Sequence, residues 1–84
     1  MELVVLSPEK EFFKGQVKSV TVPGASGQFQ ILNGHAPLIS ALSEGNVKIV
    51  KDDGNIINYS INSGFIEIID NELAILVKEA RIVD

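Results

Sequence analysis

Apolar and polar residues alternate in short runs along most of the chain, with a period of two rather than the 3.6 of a helix face. At 28–32, Phe29 and Ile31 fall on one side and Gln28 and Gln30 on the other. At 57–61, Ile57, Tyr59 and Ile61 point one way and are expected to face inward. Residues 16–22 place Val20 and Val22 together, while Lys18, Ser19 and Thr21 imply partial exposure. Further short apolar runs occur at 3–6, 38–42, 47–51, 65–69 and 73–77. In the last of these both Leu73, Ile75, Val77 and Ala74, Leu76 are apolar, so cover on both sides is expected. Branched Val, Ile and Thr side chains suit pleated surfaces, and every run is too short for an ordinary helix.

The breaks between runs are turn signals. Ser7-Pro8 ends the first run, because proline lacks the donor a ladder needs. Ser7-Pro8-Glu9 could also open one helical turn, but Phe12-Phe13 and Gly15 leave little room to extend it. Pro23-Gly24-Ala25-Ser26-Gly27, Asn33-Gly34, Ser43-Glu44-Gly45-Asn46 and Asn62-Ser63-Gly64 interrupt the later runs. Asp53-Gly54 predicts a type I′ hairpin, and Asp70-Asn71 a second tight turn. With almost no helix available, the apolar faces can bury only against another sheet. The expected fold is all-β: a small β-sandwich or flattened barrel of about ten short strands, forming one domain over residues 1–84.

Composition narrows the function more than the fold. Eighty-four residues support one modest core and leave little space for a deep active-site cleft. Seven Lys and Arg against eleven Asp and Glu give a formal charge of −4. Lys10, Lys14, Lys18, Lys48 and Lys51 are dispersed among acids and apolar residues, which disfavours nucleic acid. The absence of cysteine removes disulfides, thiolate zinc sites and thiol nucleophiles. No run approaches the ~20 apolar residues needed to span a bilayer, so a soluble or at most peripheral protein is expected.

Candidate chemistry is sparse. His35 is the single histidine, with no carboxylate at ligand spacing, and reads as a turn residue that hydrogen-bonds locally. None of the seven serines lies in Gly-x-Ser-x-Gly, and Gly24-Ala25-Ser26-Gly27 lacks the Lys-Ser or Lys-Thr of a phosphate loop. Asp52-Asp53 sits at a hairpin tip without the remaining oxygen ligands of a calcium loop. Phe29 and Tyr59 fit core periodicity better than a base-stacking platform. Residue chemistry alone therefore points to a non-catalytic interaction module without a cofactor.

The irregular segment Gly27-Gln28-Phe29-Gln30-Ile31-Leu32-Asn33-Gly34-His35-Ala36-Pro37-Leu38-Ile39 is more specific than strand patterning. Together with Leu42-Ser43-Glu44-Gly45-Asn46-Val47-Lys48-Ile49, the opening Leu3-Val4-Val5-Leu6-Ser7-Pro8-Glu9 and Asn62-Ser63-Gly64-Phe65-Ile66-Glu67-Ile68, it resembles the N-terminal β-sandwich of F-type ATP synthase epsilon subunits. The resemblance covers essentially all 84 residues. It implies a non-catalytic rotor component of the central stalk that links the gamma subunit to the polar loops of the c-ring and meets the alpha/beta assembly only indirectly. The expected location is the cytoplasmic face of the bacterial inner membrane, peripheral, in the F1 sector. The family's ring-facing loop maps onto Gln28, Asn33 and His35, with Gly34 shaping the turn. Many relatives carry an acid where this chain has Gln28, so amide hydrogen bonds would replace a charged ring contact. For gamma the resemblance implies an apolar patch at Phe12, Pro37 and Ile39 with Ser60 beside them; Phe12 and Ile39 equally fit interior packing.

An alternative class is a biotinyl- or lipoyl-type carrier domain, also a small acidic β-sandwich, with Lys51 beside Asp52-Asp53-Gly54 as the modified residue. Lys51 stands next to the turn rather than at its tip, and the Asn-Gly-His-Ala-Pro segment has no role there. The family continues into a C-terminal helical hairpin that carries inhibition and, in some members, nucleotide binding, whereas this sequence ends at Ala80-Arg81-Ile82-Val83-Asp84. The expectation is a chain that neither inhibits through an inserted helix nor binds ATP. Titration of ATP into the protein should give no saturable signal in the micromolar range, and saturable binding would contradict it.

Overall fold

The computed structural model describes residues 1–83. It contains nine strands: β1 Glu2–Leu6, β2 Glu11–Gly24, β3 Gly27–Leu32, β4 Leu38–Leu42, β5 Gly45–Lys51, β6 Ile56–Ile61, β7 Gly64–Ile69, β8 Glu72–Val77 and β9 Ala80–Ile82. Hydrogen bonding runs in the order β1-β8-β7-β4-β2-β5-β6-β9; β2 also pairs with β1, and β3 pairs only with β2. The ladder thus closes on itself as a flattened barrel of two facing layers, with a radius of gyration of 11.3 Å.

The long strand β2 closes it. Its first half pairs with β1 up to Gln16↔Glu2, and its second half pairs with β5 from Val17↔Lys51 and with β3 from Ser19↔Leu32. Two bulges let one strand serve both layers. Lys18 is extra between Val17↔Lys51 and Ser19↔Val50, so the inward positions step from Val17 to Val20 and then Val22. Phe12 is extra between Glu11↔Leu6 and Phe13↔Val5. A residue outside the ladder has a free carbonyl, and the Tyr59 hydroxyl donates to the Phe12 carbonyl at 3.0 Å.

Between the layers, Leu3, Val5, Leu73, Ile75, Ile66 and Ile68 meet Val17, Val20, Val22, Ile31, Val47, Ile49 and Ile61, all essentially inaccessible. The period-two reading is realised at Tyr59 and Ile61, which are buried, with Ile57 packed against them.

The turn expected at Ser7-Pro8-Glu9 forms without a helix: the Ser7 hydroxyl accepts the backbone N–H groups of Glu9 and Lys10 at 3.2 Å each, stapling the β1–β2 connection. Three expectations need correction. Strand β2 runs for 14 residues, not the seven of 16–22, because the bulges bend it where a turn would otherwise be needed. At Asp53-Gly54 only Gly54 has positive φ (+89°), and its N–H donates to the Lys51 carbonyl. The loop is therefore three residues with glycine in the left-handed position, while the type I′ geometry belongs to Asp70 and Asn71, with φ of 49° and 61°. Leu76 is 47% exposed, so β8 is covered on one side only. Strand β9, three residues with two exposed, is too short to read as a run and lies outside the expected ones.

Burial of the Tyr59 ring raises its hydroxyl pKa above the ordinary value, because the phenolate would be desolvated. A group whose folded pKa is raised contributes fully below its unfolded pKa of about 10, and that contribution is lost as pH rises through the folded value. Tyr59→Phe should cost about 1–2 kcal/mol at neutral pH by orphaning the Phe12 carbonyl. In urea titrations, the gap between wild type and variant should narrow once the pH exceeds about 10; a gap that widened there would refute this account.

Candidate functional site

The second face of β8, left bare, belongs to a larger surface. Cross-strand register aligns the outward residues of β4, β7, β8 and β1 in rows. Ala41, Phe65, Leu76 and Leu6 form the first, and Ile39, Glu67, Ala74 and Val4 the second. The third holds Ile69, Glu72 and Glu2. Val4, Leu6 and Ala74 are half-buried, but Ile39 is 70% exposed and Phe65 57%, large values for residues that sheets normally bury. The first row opens into a mainly apolar groove of about 600 Å³, bordered by Pro8 and Lys78.

Ile39 is thereby a surface residue, and its interior reading is set aside. Phe12 is different. It is half-buried and packs against the core, edge-on to Tyr59 with ring centroids 6.4 Å apart, and the Lys10 ammonium lies 4.7 Å from its ring centroid. Ser60 is exposed on β6, paired with Asn46 and Arg81 in the other layer. The structure therefore does not bring Ser60 beside Ile39; Pro37, two residues before Ile39, is exposed immediately before β4.

The residues Gln28, Asn33, Gly34 and His35 also divide. Gln28 is the second residue of β3, opposite Pro23, while Asn33 follows the strand's other end, five residues and about 17 Å away along an extended strand. The tip at 33–35 is braced. His35 N–H closes the turn onto the Leu32 carbonyl at 3.2 Å, and Gly34 supplies the φ of +81° that a side chain would resist. The Gly34 N–H donates at 2.7 Å to Oδ1 of Asn71, 37 residues later. Asn71 also accepts the Glu2 N–H through its carbonyl, at 3.0 Å, so one residue ties the β7–β8 turn, the start of β1 and the 33–35 tip. Sequence reasoning identified Asn71 only as a turn former; nothing local signals a partner so distant. His35 Nδ1–H donates to the adjacent Ala36 carbonyl at 2.7 Å, a local bond of the kind expected for a turn histidine.

Among the described residues no three His, Cys, Asp or Glu side chains gather as a metal site. Lys51 leans toward Asp53 with Nζ–Oδ2 of 3.9 Å at the flank of its loop.

The described residues thus form a closed β-sandwich domain with an exposed apolar sheet face and braced polar tips. Residues 1–83 match the family model described as the ATP synthase delta/epsilon chain β-sandwich domain. The chain is 40% identical over 77 residues to the ATP synthase epsilon chain of Chlorobaculum tepidum, covering 92% of this chain and 88% of that one. It is 45% identical over 76 residues to the epsilon chain of Leptospira borgpetersenii, covering 90% of this chain and 59% of that one. Among solved structures, a chain of the Euglena gracilis mitochondrial ATP synthase, in a complex of OSCP, F1 and c-ring, superposes with a TM-score of 0.89 at 23% identity. That match covers 98% of this chain and 54% of the other, and it establishes the fold. The chain belongs to the delta/epsilon-chain β-sandwich family of ATP synthase. The carrier-domain alternative finds no support.

Asn71→Ala should destabilise the fold by about 1–2 kcal/mol, combining a left-handed backbone without Asn with a lost hydrogen bond. Asn71→Gly should recover most of that while leaving the Gly34 amide exchanging rapidly in both variants. Protection of Gly34 in either variant would show that the tip is held by something else.

Proposed function

We propose that this domain is the coupling piece between the gamma subunit and the c-ring, with a separate surface for each, so that ion translocation through the ring is transmitted to ATP synthesis. The exposed apolar face of β4, β7, β8 and β1 is the observation that carries the reading. A sheet face of this kind costs free energy in water, of order 25 cal/mol per Å² of apolar area, until a partner covers it. Close-packed layers of low compressibility suit a body that must transmit torque without yielding.

Gamma takes the apolar face, centred on Ile39, Phe65 and Leu76. Pro37 shares a depression with Gly34, His35, Asp70 and Asn71, and Asp70 follows Ile69 of that face directly. This continuity supports reading the tip at 33–35, expected from the resemblance to meet the ring, as part of the gamma surface. Phe12, tied into the core, and Ser60, in the other layer, fall outside this surface. The ring contact falls to Gln28. Its strand β3 lies off the closed path of the barrel, so the β2–β3 hairpin is attached along one edge only and offers the exposed amides of Gln28 and Gln30 to polar loops. In this arrangement the domain sits at the cytoplasmic face of the bacterial membrane, peripheral, and reaches it through the assembled complex.

In assembled enzyme, a cysteine at Gln28 should cross-link to the ring loops and one at Ile39 to gamma. Phe65→Asp and Ile39→Asp should weaken capture of gamma by several kcal/mol, because an unpaired charge enters a dry interface. Normal capture by both folded variants would end the gamma assignment; exchanged cross-links would reverse the two surfaces.

A further inference from the structure

The face assigned to gamma is not uniformly apolar. Four residues along β8 from Leu76, and so about 13 Å from the apolar groove, lies Glu72. Its in-register neighbour on the parallel strand β1 is Glu2, and Glu67 stands one row over on β7, opposite Ala74. The three carboxylates line one shallow depression of about 370 Å³ with Val4, Ile69 and Ala74. Like charges placed directly across a ladder destabilise a sheet. No internal cation relieves these: the ion pairs among the described residues are Lys51–Asp53 and Arg81–Glu79. Lys14, opposite Val4 on β2, is diagonal to Glu2 but within pairing distance of none of the three.

We propose that this face reads a two-part surface on its partner, an apolar anchor entering the groove between Leu6, Ala41, Phe65 and Leu76 and, about 13 Å along, lysine or arginine side chains seated over Glu2, Glu67 and Glu72. The inference rests on the reading that gamma covers this face, and it names the chemistry gamma must present there. Charge complementarity chooses the occupant. A second copy of this chain would bring acid against acid, and an anionic lipid surface would be repelled. A cationic patch ends the repulsion within the trio and adds a second, charged point that fixes the register of the apolar contact. Charge then acts chiefly on encounter and orientation, and the groove supplies affinity.

The test uses purified gamma subunit of the same enzyme and this chain as wild type, as the Glu2→Gln, Glu67→Gln, Glu72→Gln triple variant, and as Phe65→Asp. Wild-type affinity should fall roughly tenfold between about 0.1 M and 1 M salt, where the Debye length shrinks from about 10 to 3 Å. The triple variant should bind about tenfold more weakly at the low salt and lose most of the salt dependence. Its unfolding temperature should equal or exceed that of wild type, since like-charge contacts are removed. Unchanged affinity and salt response in the triple variant, with Phe65→Asp defective, would overturn the cationic partner while leaving gamma docking intact. Normal binding by Phe65→Asp would instead remove the docking reading itself. A lowered unfolding temperature in the triple variant would show the acids satisfied within the chain and would also overturn the proposal.

Discussion

A strand that belongs to two layers at once is the constraint on which the molecule depends. Strand β2 pairs with β1 in one layer and with β5 and β3 in the other, so neither layer can slide without breaking its ladder. Its bulges at Phe12 and Lys18 make the change of layer possible. They also generate the polar brace of the core, since the carbonyl freed at Phe12 is the one that holds Tyr59. A chain with no disulfide and no metal cluster among its described residues thereby obtains closure and stiffness from backbone pairing and the core packed between its layers.

Closure has a consequence for the surfaces. With the inner faces of both layers filled by one core, the outer face of β4, β7, β8 and β1 has no intramolecular partner, yet keeps apolar residues in consecutive rows. The same rigidity that cross-braces the interior presents this face as a flat platform, and Asn71 holds the adjoining tip to it. Fold and docking are thus one argument: the layer that cannot deform is the layer that is left uncovered. The acidic trio at one end of the face adds a charged point of orientation to the apolar contact.

Local geometry at two turns shows how narrowly turn chemistry is set. Asp53-Gly54 and Asp70-Asn71 both invite a tight hairpin, but the strands they connect differ in register by one residue, so the first takes three residues with glycine in the left-handed position and the second takes two. Gly64 shows the same dependence on context. A Cβ there would sit 2.5 Å from the Leu76 carbonyl oxygen, which makes glycine a condition for the close approach of β7 to β8.

Alternation in 28–32 and 57–61 was enough to determine strands and their inward residues, because side chains on a pleat point by turns to opposite sides whatever lies beyond. The absence of cysteine, the lone histidine and the acid excess likewise bounded the chemistry, and the irregular segment around Asn33-Gly34-His35 carried the family. Apolarity at Leu76 and Ile39 was legible too, but not whether it faced core or water. That depends on which neighbours a sheet acquires, and those are supplied by residues far away in the chain. The same reason separates Gln28 from His35 and Ser60 from Ile39, and it hides the bond from Gly34 to Asn71: sequence records the direction in which a side chain points along its own strand, and only closure of the barrel decides what stands opposite.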